Sequence, residues 1–589
     1  MTSDKIRRTF LVYFEKRGHK IVPSSSILPP DPTVLFTTAG MQQFKEYYLG
    51  KSSPYGNKVV SCQKCFRTSD IEEIGDTNHL TFLEMLGNFS FGDYFKKESI
   101  EFALELLTKE YKIPTNKLWI TYFKGDPSTS SGRAVPEDKE SQGIWQKLGI
   151  PGEKMFGFGK KDNFWGPTGA EGPCGPTTEI HYDVTGKPCE LGKECIPNCT
   201  CGRFIELWNL VFNEYYQNKE GKLTPLEQKG VDTGMGFERL AMVIQDKPSV
   251  FGTDLFEPIL KEILGQDERA RRIIADHIKG SVFLVSEGIL PSNVEQGYIL
   301  RRLIRRAIRY GKILDLSQNL LILLAQKVIE IYKDIYPEIK SKETDILTVI
   351  QNEEEKFEKT LEVGIKETIS EVTKTGQLTG DIAFNLYESY GVPLEISKEI
   401  TAGEGIKVSD MIEIEFRKAK EKHQEVSRAG AEKKFGGIGK EVNYEATKLH
   451  TATHLLHQVL RESLGTHVKQ MGSDITPQRL RFDFSHSQKL TNEEIKKVEN
   501  LVNQRIKEDL RVEKKEMPYD EAIQSGALAF FKEKYPEIVT VYSIGKFSKE
   551  ICGGPHVTHT GELGKFKISK EESSGAGVRR IRAILESGI

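Results

Sequence analysis

The sequence has no long hydrophobic run, few cysteines and almost no net charge. No stretch is long enough to span a bilayer, and the first residues, Met1 to Arg8, lack the apolar core of a signal peptide. We therefore expect a cytoplasmic protein with no membrane partner. Eight cysteines in 589 residues exclude a disulfide scaffold. A formal net charge of −2 means that any nucleic acid must be held by local basic patches.

The composition is that of a large globular protein with several domains. The chain is 38% hydrophobic and 29% charged, and its length favours roughly three or four domains. Strands and turn-rich loops are indicated up to about residue 245, helices from about 250 to 435, and a mixed region from about 441. We interpret the charged, glycine-containing stretch from Lys418 to Lys440 as a linker.

The stretch from Val231 to Arg239 organises the interpretation of the first region. Gly234 and Gly236 let the backbone come close to a ligand. Arg239, at the start of a predicted helix, offers a fork of donors for a phosphate. Asp232 offers a lone carboxylate that suits a small ammonium group. The alternative is an ordinary tight turn before a helix.

Further candidates lie on predicted strands of the same region. Arg67 ends one strand before a polar loop and an aromatic-rich return strand, so it points at a ligand held over the hairpin or lies on the surface. Asn209 and Val211 are two residues apart in a strand over residues 204–216 and therefore share one face. They present an amide and a small hydrophobic group to a ligand, or they pack in the core. A Gly/Pro-rich loop over residues 164–179 precedes a strand at Ile180.

Six cysteines fall in two tight clusters. Four of them could surround one tetrahedral zinc ion, with free thiols as the alternative: Cys189, Cys195, Cys199 and Cys201. Cys62 and Cys65 have no second pair nearby, and we interpret them as strand residues.

A second set of metal-ligand candidates lies in the last region. His450 and His454 are four residues apart and share one face of a predicted helix. Cys552 and His556 follow about a hundred residues later. The four side chains make a plausible Cys-His₃ zinc site.

One helix of the middle region is unusually rich in arginine. Five arginines lie within nine residues beside an apolar stripe: Arg301, Arg302, Arg305, Arg306 and Arg309. Such a helix suits an RNA backbone, although a solvated basic face is the ordinary alternative. Asn293, at the mouth of this helix, is a helix cap in the simplest interpretation.

Taken in order, these segments resemble those of alanyl-tRNA synthetases, a family of class II aminoacyl-tRNA synthetases. The resemblance runs from about residue 5 to the C-terminus. The three class II motifs are matched by Leu28 to Met41, Cys65 to Gly92 and Val231 to Arg239. Four segments match the alanine branch in particular: Gly172–Pro176, Trp208–Phe212, Leu290–Asn293 with the arginine helix, and Cys552–Gly554.

The resemblance implies an α+β multidomain fold. A class II catalytic domain with an antiparallel sheet flanked by helices is expected over residues 1–245. A helical tRNA-recognition domain is expected over 246–435, and an α+β zinc-containing editing domain over 436–589. The implied enzyme is an ATP-dependent alanine–tRNA ligase. It joins alanine and ATP, with Mg²⁺, to alanyl-adenylate and then transfers the alanyl group to the 3′ end of tRNA(Ala).

The family's site residues can be placed on this sequence. Arg67 would hold the α-phosphate, Arg239 would clamp the bent ATP beside Gly236, and an aromatic such as Phe82 or Phe89 would support adenine. Asp232 would pair with the alanine ammonium. The small alanine pocket would be walled by Trp165, Asn209, Val211 and Gly234. Adenylate formation needs mainly positioning and charge stabilisation, so no general base is required.

A pocket for alanine rejects glycine and serine poorly, because one methyl group is worth only about 1–3 kcal/mol of discrimination. The family therefore carries a second, hydrolytic site. Its zinc ligands would be His450, His454, Cys552 and His556, with Thr451 and Gln470 near the mischarged end. For tRNA recognition, Asn293 would read the G3·U70 pair of the acceptor stem, and Arg301, Arg302, Arg305 and Arg306 would follow the backbone.

The chain also departs from the family. Leu83 replaces a frequent Phe, and Pro555 replaces the usual threonine, which removes a backbone donor near the metal. A β-barrel before the editing core and a C-terminal extension are both missing, so we expect a monomer that binds mainly the acceptor arm. A free-standing editing hydrolase and a non-catalytic RNA-binding relative are alternatives. Arg67 and the intact third motif argue against the first, and the second stays open.

Overall fold

The computed structural model describes residues 1–31, 33–69, 71–127, 134–316, 319–422, 444–486, 488–529, 536–575 and 578–586. They form two compact units, Met1–Lys366 with Tyr390–Ile396, and Glu367–Ser389 with Ser397–Ile589. The predicted linker over 418–440 lies mostly outside the described residues. The domain boundaries near residues 245 and 435 stay predictions.

The first unit is built on a nine-stranded sheet. Its strands are β1 Lys20–Ile21, β2 Lys58–Phe66, β3 Phe82–Phe91, β4 Leu118–Phe123, β5 Met155–Phe158, β6 Phe164–Trp165, β7 Gly172–Asp183, β8 Phe204–Gln217 and β9 Leu223–Gly236. The order is β1-β2-β3-β9-β8-β7-β4-β5, with β6 on β7. The pairs β1–β2 and β4–β5 are parallel, and the remaining pairs are antiparallel. The predicted α+β fold with a largely antiparallel sheet is confirmed.

Helices flank this sheet and continue beyond it. They are α1 Ser3–Glu15, α2 Lys45–Tyr48, α3 Lys96–Glu105, α4 Lys139–Lys147, α5 Lys160–Asn163, α6 Phe237–Ile244, α7 Glu257–Leu260, α8 Glu268–Ser286, α9 Glu295–Ile313, α10 Leu320–Tyr332, α11 Pro337–Ser341, α12 Glu343–Thr375, α13 Gly380–Tyr390 and α14 Leu394–Gly403. The last three cross the boundary between the two units.

Helix α1 shows how the sequence pattern produces packing. Thr2 caps its first turn by accepting a hydrogen bond from the Lys5 amide. Its apolar positions recur at helical spacing, so Phe10 and Phe14 lie on one face, and both rings contact the buried Trp208 of β8. The result is an amphipathic helix over Ser3–Glu15.

Two segments, one interpreted as a loop and one for which a tight turn was the alternative, contain strand in the structure. The Gly/Pro-rich stretch before Ile180 already belongs to β7, which begins at Gly172 and carries a register shift between Cys174 and Thr177. Gly175 makes this possible, because a Cβ there would lie 1.8 Å from the Phe212 carbonyl oxygen of β8. Similarly, the Gly-x-Gly segment after Asp232 is not a turn but the end of β9.

The second unit contains three small sheets. The four-stranded antiparallel sheet has the order β12 Gln470–Thr476, β13 Arg479–Ser485, β18 Val578–Glu586 and β17 Lys565–Gly575; a three-stranded antiparallel sheet holds β14 Val512–Pro518, β15 Ile538–Ile544 and β16 Ser548–Ile551; and β10 Gln377–Leu378 pairs with β11 Lys407–Val408. Its helices include α15 Tyr444–Leu464, α16 Asn492–Lys507 and α17 Tyr519–Gln524.

One core joins α15 and α16 to the four-stranded sheet. Leu456 and Val459 of α15 pack in the same cluster as Phe482 of β13 and Ile581 of β18. The inward faces of β13 and β18 are therefore apolar, and the outward residues are mostly charged. None of the helices formed by described residues is long and apolar enough to cross a membrane.

Candidate active site and metal centres

One cavity in the first unit collects the residues that the sequence predicted around a small ligand. Its lining includes Arg67, Trp165, Asn209, Val211, Asp232, Gly234, Gly236 and Arg239. Strands β8 and β9 are neighbours in the sheet, and α6 follows β9 directly, so their side chains converge at one place. Arg67 is not a surface residue, and Asn209 and Val211 do not serve core packing alone.

Asp232 is the buried carboxylate of this cavity. It is 5% exposed and pairs in register with Val211 on β8. Burial alone raises the pKa of Asp232 to about 7. A cation next to this carboxylate would replace the lost hydration and bring the pKa down again. The site is therefore suited to a cationic group that arrives with a ligand.

Asn209 stands two register pairs further along, on the same face and opposite Gly234. Its amide nitrogen donates to Glu179 Oε1 at 3.0 Å, while its amide oxygen is buried and has no hydrogen-bond partner among the described residues. Glu179 also accepts from Thr121 Oγ1 at 3.1 Å and lies 3.1 Å from His181 Nε2. This network fixes the amide so that its oxygen stays available as an acceptor.

The two arginines are held from the side by backbone oxygens. Arg239 Nη1 donates to the Glu206 carbonyl at 3.1 Å and lies 3.7 Å from the Glu206 carboxylate. Arg67 is anchored through its backbone, which donates to the Thr81 carbonyl at 2.8 Å. Its Nε lies 3.4 Å from the Thr38 carbonyl oxygen. Each guanidinium keeps donors for an anion inside the cavity.

The acids behind the cavity are neutralised internally. Glu238, which lines the cavity, accepts from Lys279 Nζ at 2.8 Å. Glu84 accepts two hydrogen bonds from Arg7, at 2.9 and 2.7 Å, and one from Tyr336 at 2.8 Å. These buried pairs leave Asp232 as the acid that has no basic partner among the described residues of the lining.

Neither predicted adenine-stacking aromatic reaches the cavity. Phe82 is fully buried and stacks on Phe283 of α8, with ring centroids 3.6 Å apart. Phe89 is also fully buried, and the 3₁₀ turn Gly40–Phe44 covers it. Both predictions are wrong. Phe82 points to the face of the sheet opposite the cavity, because alternate residues of β3 point to opposite faces. Phe89 is covered by the 3₁₀ turn at the other end of the strand.

The structure adds cavity residues that sequence reasoning missed. Leu83 and Met85 line the cavity from β3, and Asn78 and His79 line it from the preceding loop. His79 is oriented by Asp76, whose Oδ2 lies 2.5 Å from its Nδ1. Asn78 and His79 could have been predicted from the position of their loop directly after Arg67, because a loop that follows the end of a strand lies over the edge of the sheet.

The arginine helix α9 does not present a row of free basic side chains. Arg305 donates to Glu353 at 2.7 Å, and Arg306 donates to the Ile71 carbonyl at 2.9 Å. Arg301, Arg305 and Arg306 are all less than 9% exposed, so the prediction that they follow an RNA backbone is wrong. Carboxylates and backbone carbonyls from distant parts of the sequence accept the hydrogen bonds of these arginines.

Asn293 lies on the surface just before α9. Val294 is the N-cap of that helix, so the interpretation of Asn293 as a helix cap is wrong. Its side-chain oxygen accepts a short hydrogen bond from Arg301, which also donates to the Pro291 carbonyl at 3.1 Å. The amide nitrogen of Asn293 therefore points away from Arg301 and can donate a hydrogen bond elsewhere. The Arg302 side chain is 11% exposed and pairs with Glu72 and Glu395.

The second unit brings four metal-ligand candidates together. Each can offer one ligand atom, and these atoms all lie within 4.8 Å of one another: His450, His454, Cys552 and His556. Burial lowers the pKa of each histidine, to about 4 for His450, so the rings are neutral. Neutral imidazoles are the form that binds metal.

The surroundings of these histidines select one ring nitrogen of each as the ligand. The Nδ1 atoms contact the Pro555 carbonyl at 3.1 Å, a Glu550 carboxylate oxygen at 3.2 Å and Thr451 Oγ1 at 3.1 Å, for His450, His454 and His556 respectively. Each Nε2 is then left as the ligand atom: that of His450 lies 3.4 Å from Cys552 Sγ, and that of His556 is buried without a partner among the described residues. Three histidines oriented in this way fit a zinc ion.

Of the two further predicted residues, Thr451 lies beside this cluster. Thr451 is fully buried and contacts His556, so it lies beside the metal-ligand candidates. Gln470 begins β12, and its amide donates to Ser473. Pro555 supplies only its carbonyl oxygen, so the missing backbone donor of proline removes nothing from the contact with His450.

The four clustered cysteines of the first unit also lie together. Their sulfur atoms are within 4.8 Å of one another, in the loop that joins β7 to β8: Cys189, Cys195, Cys199 and Cys201. Cys62 and Cys65 lie in β2, as predicted.

Comparison with known proteins agrees with this geometry. A model of the family described as tRNA synthetases class II (A) matches residues 5–478. A model described as the threonyl and alanyl tRNA synthetase second additional domain matches residues 539–582. The fold and the cavity are thus those of a class II tRNA synthetase.

Curated relatives identify the family more narrowly. Alanine–tRNA ligases of Borrelia hermsii and Treponema denticola are each 47% identical to this chain, over 99% and 100% of it and over 100% and 99% of their own lengths. The alanine–tRNA ligase of Thermotoga petrophila is 41% identical over 99% of this chain and 80% of its own length. The chain belongs to the alanine–tRNA ligase family.

Proposed function

We propose that the chain activates alanine with ATP and transfers the alanyl group to the 3′ end of tRNA(Ala). One observation carries the proposal: a buried carboxylate without a basic partner in the described lining shares a cavity with two arginines and a small apolar wall. An amino acid brings the missing cation, and ATP brings the anion for the arginines. The names of the similar alanine–tRNA ligases support the same substrate.

Alanine binds between β8 and β9. Its ammonium pairs with Asp232 and donates to the free amide oxygen of Asn209, which Glu179 holds in place. Its methyl group lies against Val211, and Trp165 closes the pocket. A larger side chain would meet Val211 and Trp165, which both line the cavity.

ATP binds on the arginine side of the same cavity. The alanine carboxylate oxygen attacks the α-phosphorus, the bond to the β-phosphate oxygen breaks, and pyrophosphate leaves with no proton transferred. Arg67 neutralises the charge that develops at the α-phosphate, and Arg239 holds the bent triphosphate. The ribose hydroxyl of tRNA then attacks the alanyl carbonyl, and AMP leaves.

Mg²⁺ would supply further charge neutralisation of the phosphates. Glu206 is the lining glutamate best suited to hold it, because its carboxylate is 39% exposed and lies 3.7 Å from Arg239, whereas Glu238 is buried and pairs with Lys279 at 2.8 Å. Leu83 and Met85, rather than Phe82 or Phe89, form the sheet-side floor for the nucleotide. His79 and Asn78 extend the polar lining toward its phosphates.

The second unit hydrolyses mischarged seryl- and glycyl-tRNA(Ala). The orientation of its three histidines together with Cys552 fits zinc, which would position the mischarged end for attack by water. Thr451 and Gln470 contact that substrate. Glu550 orients His454 through its Nδ1 and so serves the metal site indirectly.

The acceptor stem is read by Asn293. Its amide oxygen is occupied by Arg301, so its amide nitrogen is the group that donates to the G3·U70 pair. We keep Arg302 as a backbone contact, because one of its two acidic partners, Glu72, is 53% exposed and can give way to a phosphate. Arg301 positions Asn293, and Arg305 and Arg306 hold α9 in place.

Alanine-dependent ATP–pyrophosphate exchange, followed by charging of tRNA with an intact or a disrupted G3·U70 pair, tests the proposal. Exchange with alanine and charging only of the intact tRNA are expected. Absence of exchange with retained hydrolysis of seryl-tRNA would indicate a free-standing editing hydrolase. Absence of both with tRNA binding retained would indicate a non-catalytic RNA-binding protein.

A further inference from the structure

The connection between β7 and β8 has almost no core of its own. It runs over residues 184–203, and only Cys195, Pro197 and Arg203 in it are buried. Its regular structure is one 3₁₀ turn, Gly192–Glu194. A loop of this length with so little apolar burial needs another source of order, because conformational entropy opposes it.

The four cysteines in this loop are arranged as the ligands of one metal ion, which could supply this order. Cys189 Sγ lies 3.9 Å from Cys199 Sγ, and Cys195 Sγ lies 3.7 Å from Cys201 Sγ. All four sulfur atoms lie within 4.8 Å of one another. Four thiolates bound to zinc at about 2.3 Å stand about 3.8 Å apart at the corners of a tetrahedron. A disulfide instead needs its two sulfur atoms at about 2.05 Å.

Contacts around the sulfurs hold the cluster onto the sheet. Arg203 Nη1 donates to the Cys195 carbonyl at 3.4 Å, and its Nε and Nη2 donate to the Asp183 carboxylate at 3.1 and 2.7 Å. The Val184 amide donates to the Arg203 carbonyl at 2.8 Å. The guanidinium therefore lies between the last residue of β7 and the buried cysteine.

We propose that Cys189, Cys195, Cys199 and Cys201 bind a structural zinc ion that fastens the β7–β8 connection. All four positions would be filled by thiolates, which leaves no open position for water or substrate, so the ion has no catalytic role. It is separate from the Cys-His₃ cluster of the second unit. It stabilises the two strands that carry Glu179 and Asn209, and it does not depend on the proposed reaction.

Metal analysis of the full chain, purified without added metal, tests the site. Wild type is expected to hold two zinc ions per chain, one in each cluster. Cys201→Ser, at the exposed member of the loop cluster, is expected to hold one, Cys552→Ser one, and the double variant none. Cys65→Ala, a cysteine of β2 outside both clusters, keeps two. One ion in wild type that only Cys552→Ser removes would overturn the proposal.

A spectroscopic measurement keeps the test valid if Cys201→Ser fails to fold. Zinc in Cys552→Ser is exchanged for Co²⁺, and strong thiolate-to-metal absorption is expected from the remaining four-thiolate site. No such absorption, or an intact mass under non-reducing conditions lowered by two disulfides, would contradict the site. Loss of the loop ion is also expected to lower the midpoint of thermal unfolding, since metal binding contributes directly to folding.

Discussion

Asp232 of β9 and Val211 of β8 are a register pair, and both side chains enter the same cavity. A buried carboxylate thus lies next to a small branched hydrocarbon group. The first binds the charged end of a ligand, and the second limits the size of what is attached to it. This pairing gives a physical basis for selecting an amino acid with a short side chain.

The buried carboxylate should reduce the stability of the free protein at high pH. The pKa of Asp232 is raised to about 7, so its stabilising contribution is present at low pH and is lost as pH rises through 7. We expect Asp232→Asn to increase the free energy of unfolding at pH 8 by on the order of 2–4 kcal/mol. The gain should shrink at pH 5. Chemical denaturation without substrates measures both values.

The control for this prediction is Asp246→Asn. Asp246 follows α6, has φ of 51° that asparagine tolerates, and does not line the cavity. It should change stability little at either pH. An equal gain in the free energy of unfolding for Asp232→Asn at pH 5 and pH 8 would show that Asp232 does not carry a buried charge at pH 8.

Alanine binding should weaken as the carboxylate is protonated. Below about pH 7 the ammonium meets a neutral acid in the free enzyme. The KM for alanine in ATP–pyrophosphate exchange should therefore rise toward lower pH, by up to about tenfold per pH unit. Initial rates across pH 5.5–8.5 measure this. A flat KM would mean that another group receives the ammonium.

The wall opposite Asp232 should set the size limit. Val211→Ala removes two methyl groups and makes room for a hydroxymethyl side chain. The preference for alanine over serine in exchange should fall by about tenfold or more, since a methylene is worth about 1–3 kcal/mol. Val231→Ala, at a buried residue of β9 outside the lining, is the matched control. If both variants keep the wild-type preference, Val211 does not touch the substrate.

The acid behind the histidine cluster should control metal affinity. Glu550 lies 3.2 Å from His454 Nδ1 and 3.0 Å from His457 Nδ1. Glu550→Gln should weaken zinc binding by about 10–100-fold and let seryl-tRNA persist, while exchange stays normal. Competition with a chelator measures the affinity. The control Glu586→Gln, at the last residue of β18, should match wild type. Unchanged zinc affinity in Glu550→Gln would remove Glu550 from this role.

Recognition of the acceptor stem should depend on a pair of residues. Asn293→Ala should lower kcat/KM for charging by about tenfold or more, as expected when a base contact worth a few kcal/mol is lost, with exchange unchanged. Arg301→Ala should resemble it, because Arg301 holds the Asn293 side chain. Charging and exchange assays on one preparation separate the two steps. Normal charging by both variants would place the recognition elsewhere.

Site residues could be predicted where their placement follows from the local strand pattern, and not where it depends on packing against distant parts of the chain. Asp232, Asn209 and Val211 could be assigned to one surface, because residues two apart in a strand share a face. The aromatic residues of β3 could not. Which face of β3 meets α8 is decided by packing against Phe283, about two hundred residues away in the chain.

The arginines of α9 show the same limit. Their spacing on the helix is visible in the sequence, but the acids that neutralise them are not adjacent. Glu353, which pairs with Arg305, lies on α12. Composition alone therefore predicted an open basic surface where the structure has buried ion pairs. The cysteine cluster was predictable because its short spacing carries most of the geometry. The histidine cluster required in addition that two short pairs, about a hundred residues apart, be brought together, which the family resemblance implied.

The most direct test of the central claim is alanine-dependent ATP–pyrophosphate exchange by wild type and Asp232→Asn at pH 8. Wild type should exchange with alanine and hardly at all without an amino acid. Asp232→Asn should lose at least about two orders of magnitude in kcat/KM for alanine, as expected for a lost buried ion pair of about 3 kcal/mol, while remaining folded and still binding ATP. Exchange by Asp232→Asn at the wild-type level would contradict the account.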